Sequence, residues 1–160
     1  MRRKDREITD LNEILSIVER AKILHLGLFD GEYPYVVPLH YGYAYAEDAG
    51  TLVFYLHGAK EGHKLELIRT NPNVCAELDC DTELASGGDV PCQYGSFYAS
   101  VIGKGRAEIV EDTEEKIRGL TLLMKHQTGR DFEISPAMAA SVAVLKITVP
   151  DFTAKSRPKP

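Results

Sequence analysis

The chain has 160 residues, a formal net charge of −5, 44% hydrophobic and 27% charged residues. That length suits one domain with a single sizeable core, and that composition excludes a disordered or fibrous chain. The acidic balance argues against nucleic acid as the main partner, and no apolar run reaches the roughly 20 residues needed to cross a bilayer.

Residues 10–20 (DLNEILSIVER) predict a short helix with Asp10 as N-cap, Glu13 three residues on, and Leu11, Ile14, Leu15 and Val18 on one face. Residues 22–29 predict a strand, DGEYP a turn, and residues 35–45 a second strand with Pro38 inside it. Proline cannot donate to a ladder, so Pro38 marks an edge, a bulge or a point where something else meets the backbone. EDAG predicts a hairpin turn and residues 51–57 a third strand. Over Lys60–Arg69 the period turns helical, and Asn71-Pro72 stops it.

Residues 73–79 predict another strand, and residues 82–92, with two glycines and a proline, a surface loop. Residues 94–110 read as one long strand or a bent pair, with the bend at Gly103 and Gly105. Residues 112–127 predict a long helix capped by Asp112 or Thr113, with Ile117, Leu120, Leu123 and Met124 inward. Residues 141–149 predict the last strand, and the SRPKP tail at 156–160 is expected to fray. About six strands joined mostly by tight turns favour a mainly β (α+β) fold, a small antiparallel or mixed barrel, over a doubly wound sheet.

The charged opening MRRKDREITD is followed by no apolar signal segment. Cys75, Cys80 and Cys92 are odd in number and show no C-x-x-C spacing. A cytoplasmic protein without a disulfide framework or zinc site is therefore expected, its cysteines acting as small buried or half-buried apolar side chains. The histidines show no metal-ligating spacing, so no metal is expected, and His126 near a helix end reads as a favourable charge at the dipole.

Chemistry concentrates in His57-Gly58-Ala59-Lys60-Glu61-Gly62-His63-Lys64, which follows a strand and opens a helix. Glycines admit backbone N–H groups, a helix N-terminus favours negative charge, and lysines add cations, so a phosphate monoester suits this turn. The P-loop spacing is absent, and an ordinary solvated helix start is the competing reading. Tyr41, Tyr43 and Tyr45 share one strand face, either against a flat heteroaromatic ligand or as packing. No G-x-S-x-G or other nucleophile motif is present.

PYVVPLHYGY (34–43), TLVFYLHGAKEGHKLELIRTNPNVCAELD (51–79) and YGSFYASVIGKGRAEIVED (94–112), in that order, resemble the flavin-mononucleotide-binding split-barrel proteins related to pyridoxamine 5'-phosphate oxidase. Within them the chain is most similar to the nitroimidazole-resistance-like group, of which the opening MRRKDREITD is also typical. The resemblance implies a six-stranded split barrel with flanking helices, a homodimer, and two equivalent FMN sites at the subunit interface. Pro38 and Leu39 would line the isoalloxazine with their backbone. His57, Lys60, Gly62 and Lys64 would hold the phosphate. Ser100 and Val101 would approach the flavin, and Tyr55 would meet the ribityl chain or the phosphate. Lys60, His63 and Lys64 stand where the oxidase branch has an arginine–lysine pair, and lysine lacks the bidentate fork of arginine. The pyridoxal-phosphate-binding residues of the oxidases have no counterpart, so that activity is not expected.

The implied activity is a flavin-dependent reductase passing electrons from NAD(P)H to a small aromatic acceptor such as a nitro compound, with His57 and Tyr41 as candidate proton donors. Two alternatives stand beside it. One is a flavin, deazaflavin or haem carrier or sensor, with His40 or His57 as the first candidate iron ligands. The other is an interaction module that uses the barrel as a scaffold.

Overall fold

Apolar residues at every second position decide which side of each strand faces the core. In the computed structural model, which describes residues 3–159, Leu24, Leu26 and Leu28 of β2 (Ile23–Asp30) are buried, while His25 and Gly27 point outward. The same alternation buries Leu52, Phe54 and Leu56 of β4 (Thr51–Gly58) and Val74, Ala76 and Leu78 of β5 (Asn73–Ala85). With β3 (Tyr33–Ala46), β6 (Gly95–Ile109) and β7 (Ala143–Arg157), these strands pair antiparallel in the order β7–β4–β3–β2–β5–β6. β6 pairs back onto β7, so the six strands close into a ring. The short β1 (Glu7–Ile8) adds to the far half of β7.

Two helices contribute to the core that fills the ring. α1 (Leu11–Arg20) starts where the Asp10 carboxylate accepts the Glu13 N–H at 2.9 Å, and it buries Ile14, Ile17 and Val18. Leu11 and Leu15, expected on that face, are only half-buried, because Ile17 takes the place. α2 (His63–Thr70) buries Leu65 and Ile68 in the same core. α3 (Thr113–Thr128), capped by Asp112, lies across the outer face of β3 and β4, where Tyr55, Val110, Leu120 and Val144 form a second cluster with Ala139 of α4 (Pro136–Ala140). The α4 turn, with Ser135 as its cap and a proline at its start, was not expected from the sequence.

Several expectations are corrected. β5 continues through the stretch read as a loop from residue 82, because Glu83, Leu84 and Ala85 find partners in Phe97, Ser96 and Gly95 after a register shift at Cys80/Glu83. β7 runs on into the expected frayed tail, with Ser156 and Arg157 paired to Ala99 and Tyr98; Pro160 lies outside the described residues, as do the first two residues of the opening. His126 stands in the last turn of α3 as expected, but it is buried there: its Nδ1 is 2.8 Å from the Tyr41 carbonyl and its Nε2 is 3.0 Å from the Glu19 carbonyl. The bend expected at Gly103 and Gly105 is a register shift within one strand, between Lys104 and Arg106. Cys75 and Cys92 are exposed and only Cys80 is partly covered, and all three thiols are free. Among the described residues no helix is long and apolar enough to cross a membrane.

Candidate cofactor site

The turn between β4 and α2 is shaped by Gly62. Its φ of 139° lies where a side chain is strained, and no side chain caps the helix it opens. The Gly62 carbonyl accepts the Leu65 N–H at 2.9 Å, while the first amides of α2 remain without a side-chain acceptor. Lys64 folds back from this first turn onto the end of β4: a Cβ built on Gly58 would stand 2.9 Å from its Nζ. Beside it lies His57, whose ring is held below its ordinary 6.5 by burial, then by the neighbouring His40 and Lys64. His40 comes from β3, on the rung that follows the Tyr41–Leu56 pair. Among the described residues neither Lys64 nor His57 has a carboxylate partner. Two imidazoles and one ammonium thus lie near one another at the end of β4, beside the uncapped helix start, an arrangement suited to an anion such as a phosphate monoester.

The other expected residues are distributed differently. His63 is engaged elsewhere: its Nε2 is 2.7 Å from Asp30 Oδ2 at the β2–β3 turn, and its ring meets Tyr35 edge-on at 5.2 Å. The hydrogen bond to Asp30 raises its pKa above the ordinary value. Lys60 lines a separate cleft of ≈ 380 Å³ with Arg69, Glu111 and Lys116. Tyr55 lies beneath α3, 2% exposed, and its hydroxyl donates to Glu115, which Lys146 also contacts at 3.0 Å.

Pro38 sits on the outer face of β3 opposite His25, while Leu39 points inward and packs on the core. Ser100 is on the outer face of β6 and Val101 is buried inside, 3% exposed. β2 and β5 lie between Pro38 and Ser100, three strand spacings or about 14 Å. One chain therefore does not bring Ser100 to Pro38. The tyrosine row also turns inward: Tyr41 is fully buried, its hydroxyl 2.7 Å from the Val18 carbonyl and 2.9 Å from the Ala21 carbonyl. Burial raises its pKa strongly, so Tyr41 packs the core and does not donate protons at the site.

His40 is the member of the cluster that the phosphate reading did not include. Its only signal in the sequence is its two-residue spacing from Pro38 on an outward face. A cleft of ≈ 630 Å³ between α1 and the ends of β5, β6 and β7 is lined by two ion pairs, Arg20 with Asp81 at 2.9 Å and Lys159 with Glu83, and by Glu13 and Arg157.

A closed antiparallel ring with helical flanks defines a mainly β architecture. The chain belongs to the pyridoxamine 5'-phosphate oxidase family, whose model matches residues 10–156. A protein of Bacteroides thetaiotaomicron named for 5-nitroimidazole antibiotic resistance is 33% identical, with a TM-score of 0.78 over 93% of this chain and 85% of that one. A flavocytochrome of Azotobacter vinelandii shares the fold at 18% identity, with a TM-score of 0.80 over 100% of this chain and 73% of that one. An FAD- and haem-binding protein of Mycobacterium smegmatis does so at 12% identity, with a TM-score of 0.78 over 97% of this chain and 76% of that one. Among curated protein sequences none matches this chain.

Proposed function

We propose that this protein is an FMN-binding reductase that works as a homodimer. The observation that carries the reading is the proximity of His40 and Lys64 to His57 at the end of β4, beside the uncapped start of α2, with no carboxylate paired to any of them among the described residues. Lys64 and His57 would hold the phosphate, with the α2 amides beside them, and the outer face at Pro38 would seat the ring system. When bound, the flavin supplies the electron transfer from NAD(P)H to a small aromatic acceptor such as a nitro compound. The chain supplies binding and orientation, and His57, neutral near physiological pH, is the side chain placed to take up a proton when an anion arrives.

A homodimer would fit the same reading. The outer face of β2, β3 and β6 exposes Phe29 (64%), Val36 (58%) and Ile102 (45%), an apolar surface that a second copy would cover. That second copy is also the source from which Ser100 and the Val101 backbone would reach a flavin seated at Pro38, since within one chain they are too far. In this reading the ring is one half of a split-barrel dimer. The similarity to the Bacteroides thetaiotaomicron protein supports the nitro-compound class of acceptor.

A second reading, haem binding without turnover, is favoured by the adjacent His40 and His57 on an accessible face, and both the flavocytochrome and the Mycobacterium smegmatis protein carry haem by name. Purified protein titrated with FMN and with haemin separates the two. Saturable quenching of flavin fluorescence at micromolar FMN, lost in Lys64→Ala, supports the flavin site, and NAD(P)H-driven reduction of a nitroaromatic then tests turnover. A Soret band with haemin and no response to FMN would replace the reductase by the haem reading.

A further inference from the structure

We propose that His25, Glu77 and Asp79 form a mononuclear site for a divalent first-row transition metal on the outer face of β2 and β5. His25 and Glu77 are directly opposite each other in the β2–β5 ladder, and Asp79 is the next outward residue along β5. One ligand atom from each lies within 4.8 Å of the others, with His25 Nδ1 and Glu77 Oε2 at 2.9 Å. The His25 and Glu77 side chains are 41% and 34% exposed, so the pair is partly withdrawn from water.

The charge balance of this corner points the same way. Glu77 and Asp79 stand two residues apart on one strand face, and His25 is the one basic side chain paired with either of them among the described residues. The lysines on the strands beside the cluster stand at other rungs: Lys104 faces Cys75, and Lys155 faces Ser100. Asp79 is further held by the Thr82 hydroxyl at 3.0 Å, which orients the carboxylate. A divalent ion would neutralise both carboxylates at once.

The ligand chemistry selects the class of ion. One imidazole with two carboxylates suits zinc, manganese, iron(II) or cobalt(II) better than calcium or magnesium, which take oxygen ligands alone. Three protein ligands leave coordination positions open, as in exchangeable sites. The ligands come from strands 52 residues apart in sequence, so no linear motif announces them. The site uses none of the residues assigned to the flavin, but it shares their face, with His25 opposite Pro38 and Asp79 opposite Ser100, so in the proposed dimer it lies at the interface; metal uptake is read separately, and its failure would leave the flavin assignment intact.

The test is a Co²⁺ and Mn²⁺ titration of chelator-stripped full-length protein, followed by calorimetry and by Co²⁺ absorption. The expected result is one ion per chain with the ligand-field bands of a nitrogen–oxygen site. His25→Ala and Glu77→Gln should each weaken binding by more than about tenfold while circular dichroism stays unchanged. Cys75→Ser, two residues from Glu77, should bind as the wild type does. Absence of uptake up to about 1 mM metal, variants that bind like the wild type, or loss of binding in Cys75→Ser would each overturn the proposal.

Discussion

Gly42 of β3 lies directly under Leu123 of α3: a Cβ built on Gly42 would stand 2.2 Å from the Leu123 amide nitrogen, with Leu122 and Leu123 backbone atoms at 2.4 and 2.5 Å. The helix backbone, not a flexible side-chain tip, fills the space a methyl group would need. This close approach seats α3 on β3 and β4 and buries Tyr55 and Leu120. Gly42→Ala must lift the helix, and overpacking of this kind costs about 1–3 kcal/mol. Urea denaturation should show a lowered midpoint with an unchanged slope; an unaltered midpoint would contradict this account of the contact.

The three basic residues of the β4–α2 turn should not contribute equally to flavin binding. Lys64 reaches the end of β4 beside His57, whereas Lys60 lines the cleft with Arg69 and Lys116, and His63 is tied to Asp30. Loss of a charge-assisted contact to phosphate is worth about 1.5–3 kcal/mol, or about ten- to a hundredfold in affinity. Lys64→Ala should show that loss in an FMN titration, and Lys60→Ala and His63→Ala should stay within about threefold of the wild type. Equal losses at all three positions would argue for a site spread over the whole turn.

Flavin binding should consume protons below neutral pH. His57 is depressed by burial, then by His40 and Lys64, so the free protein keeps it neutral where an ordinary histidine already begins to charge. An arriving phosphate raises its pKa, and the complex takes up a proton in the window between the depressed free value and the raised bound one. For stability the sign follows from the same shift. The contribution of neutral His57 is fully present above 6.5 and is lost as pH falls through the lower folded value. Calorimetric titrations in two buffers of different ionisation enthalpy should report proton uptake in the wild type and none in His57→Gln. Equal uptake in both proteins would assign the proton to another group.

Tyr55 is expected to matter for stability and not for flavin. Its hydroxyl donates to Glu115 under α3, and burial keeps its pKa well above the ordinary tyrosine value, so it donates at all physiological pH. Tyr55→Phe should cost about 1 kcal/mol and leave the FMN affinity unchanged. Glu115 is held below its ordinary 4.5 by the Tyr55 hydrogen bond and then by Lys146. Its contribution is therefore fully present above 4.5 and is lost as pH falls through the lower folded value. The difference in Tm between wild type and Tyr55→Phe should be largest near neutral pH and shrink by about pH 3. A difference that grows on acidification, or a loss of FMN binding, would refute this placement.

Local physical chemistry determined much of this protein. Alternation set the inward faces of β2, β4 and β5, because a strand's side-chain period of two leaves a single way to bury Leu24, Leu26 and Leu28 together. Asp10 and Asp112 were readable as caps because their carboxylates satisfy amides three residues on. The basic, glycine-containing turn was visible for the same reason: its residues are neighbours in the chain. The tertiary structure alone decided what those local signals could not contain. The assembled ring paired β6 with both β5 and β7 and extended them beyond their sequence signals, since a partner strand supplies the hydrogen bonds that the residues themselves do not demand. It set His40 beside His57, drew His63 to Asp30 and Tyr55 to Glu115, and put two strands between Pro38 and Ser100. Each of these pairings joins segments distant in sequence, and the register of the sheet, a property of the assembled ring and not of any single segment, decides which side chains meet.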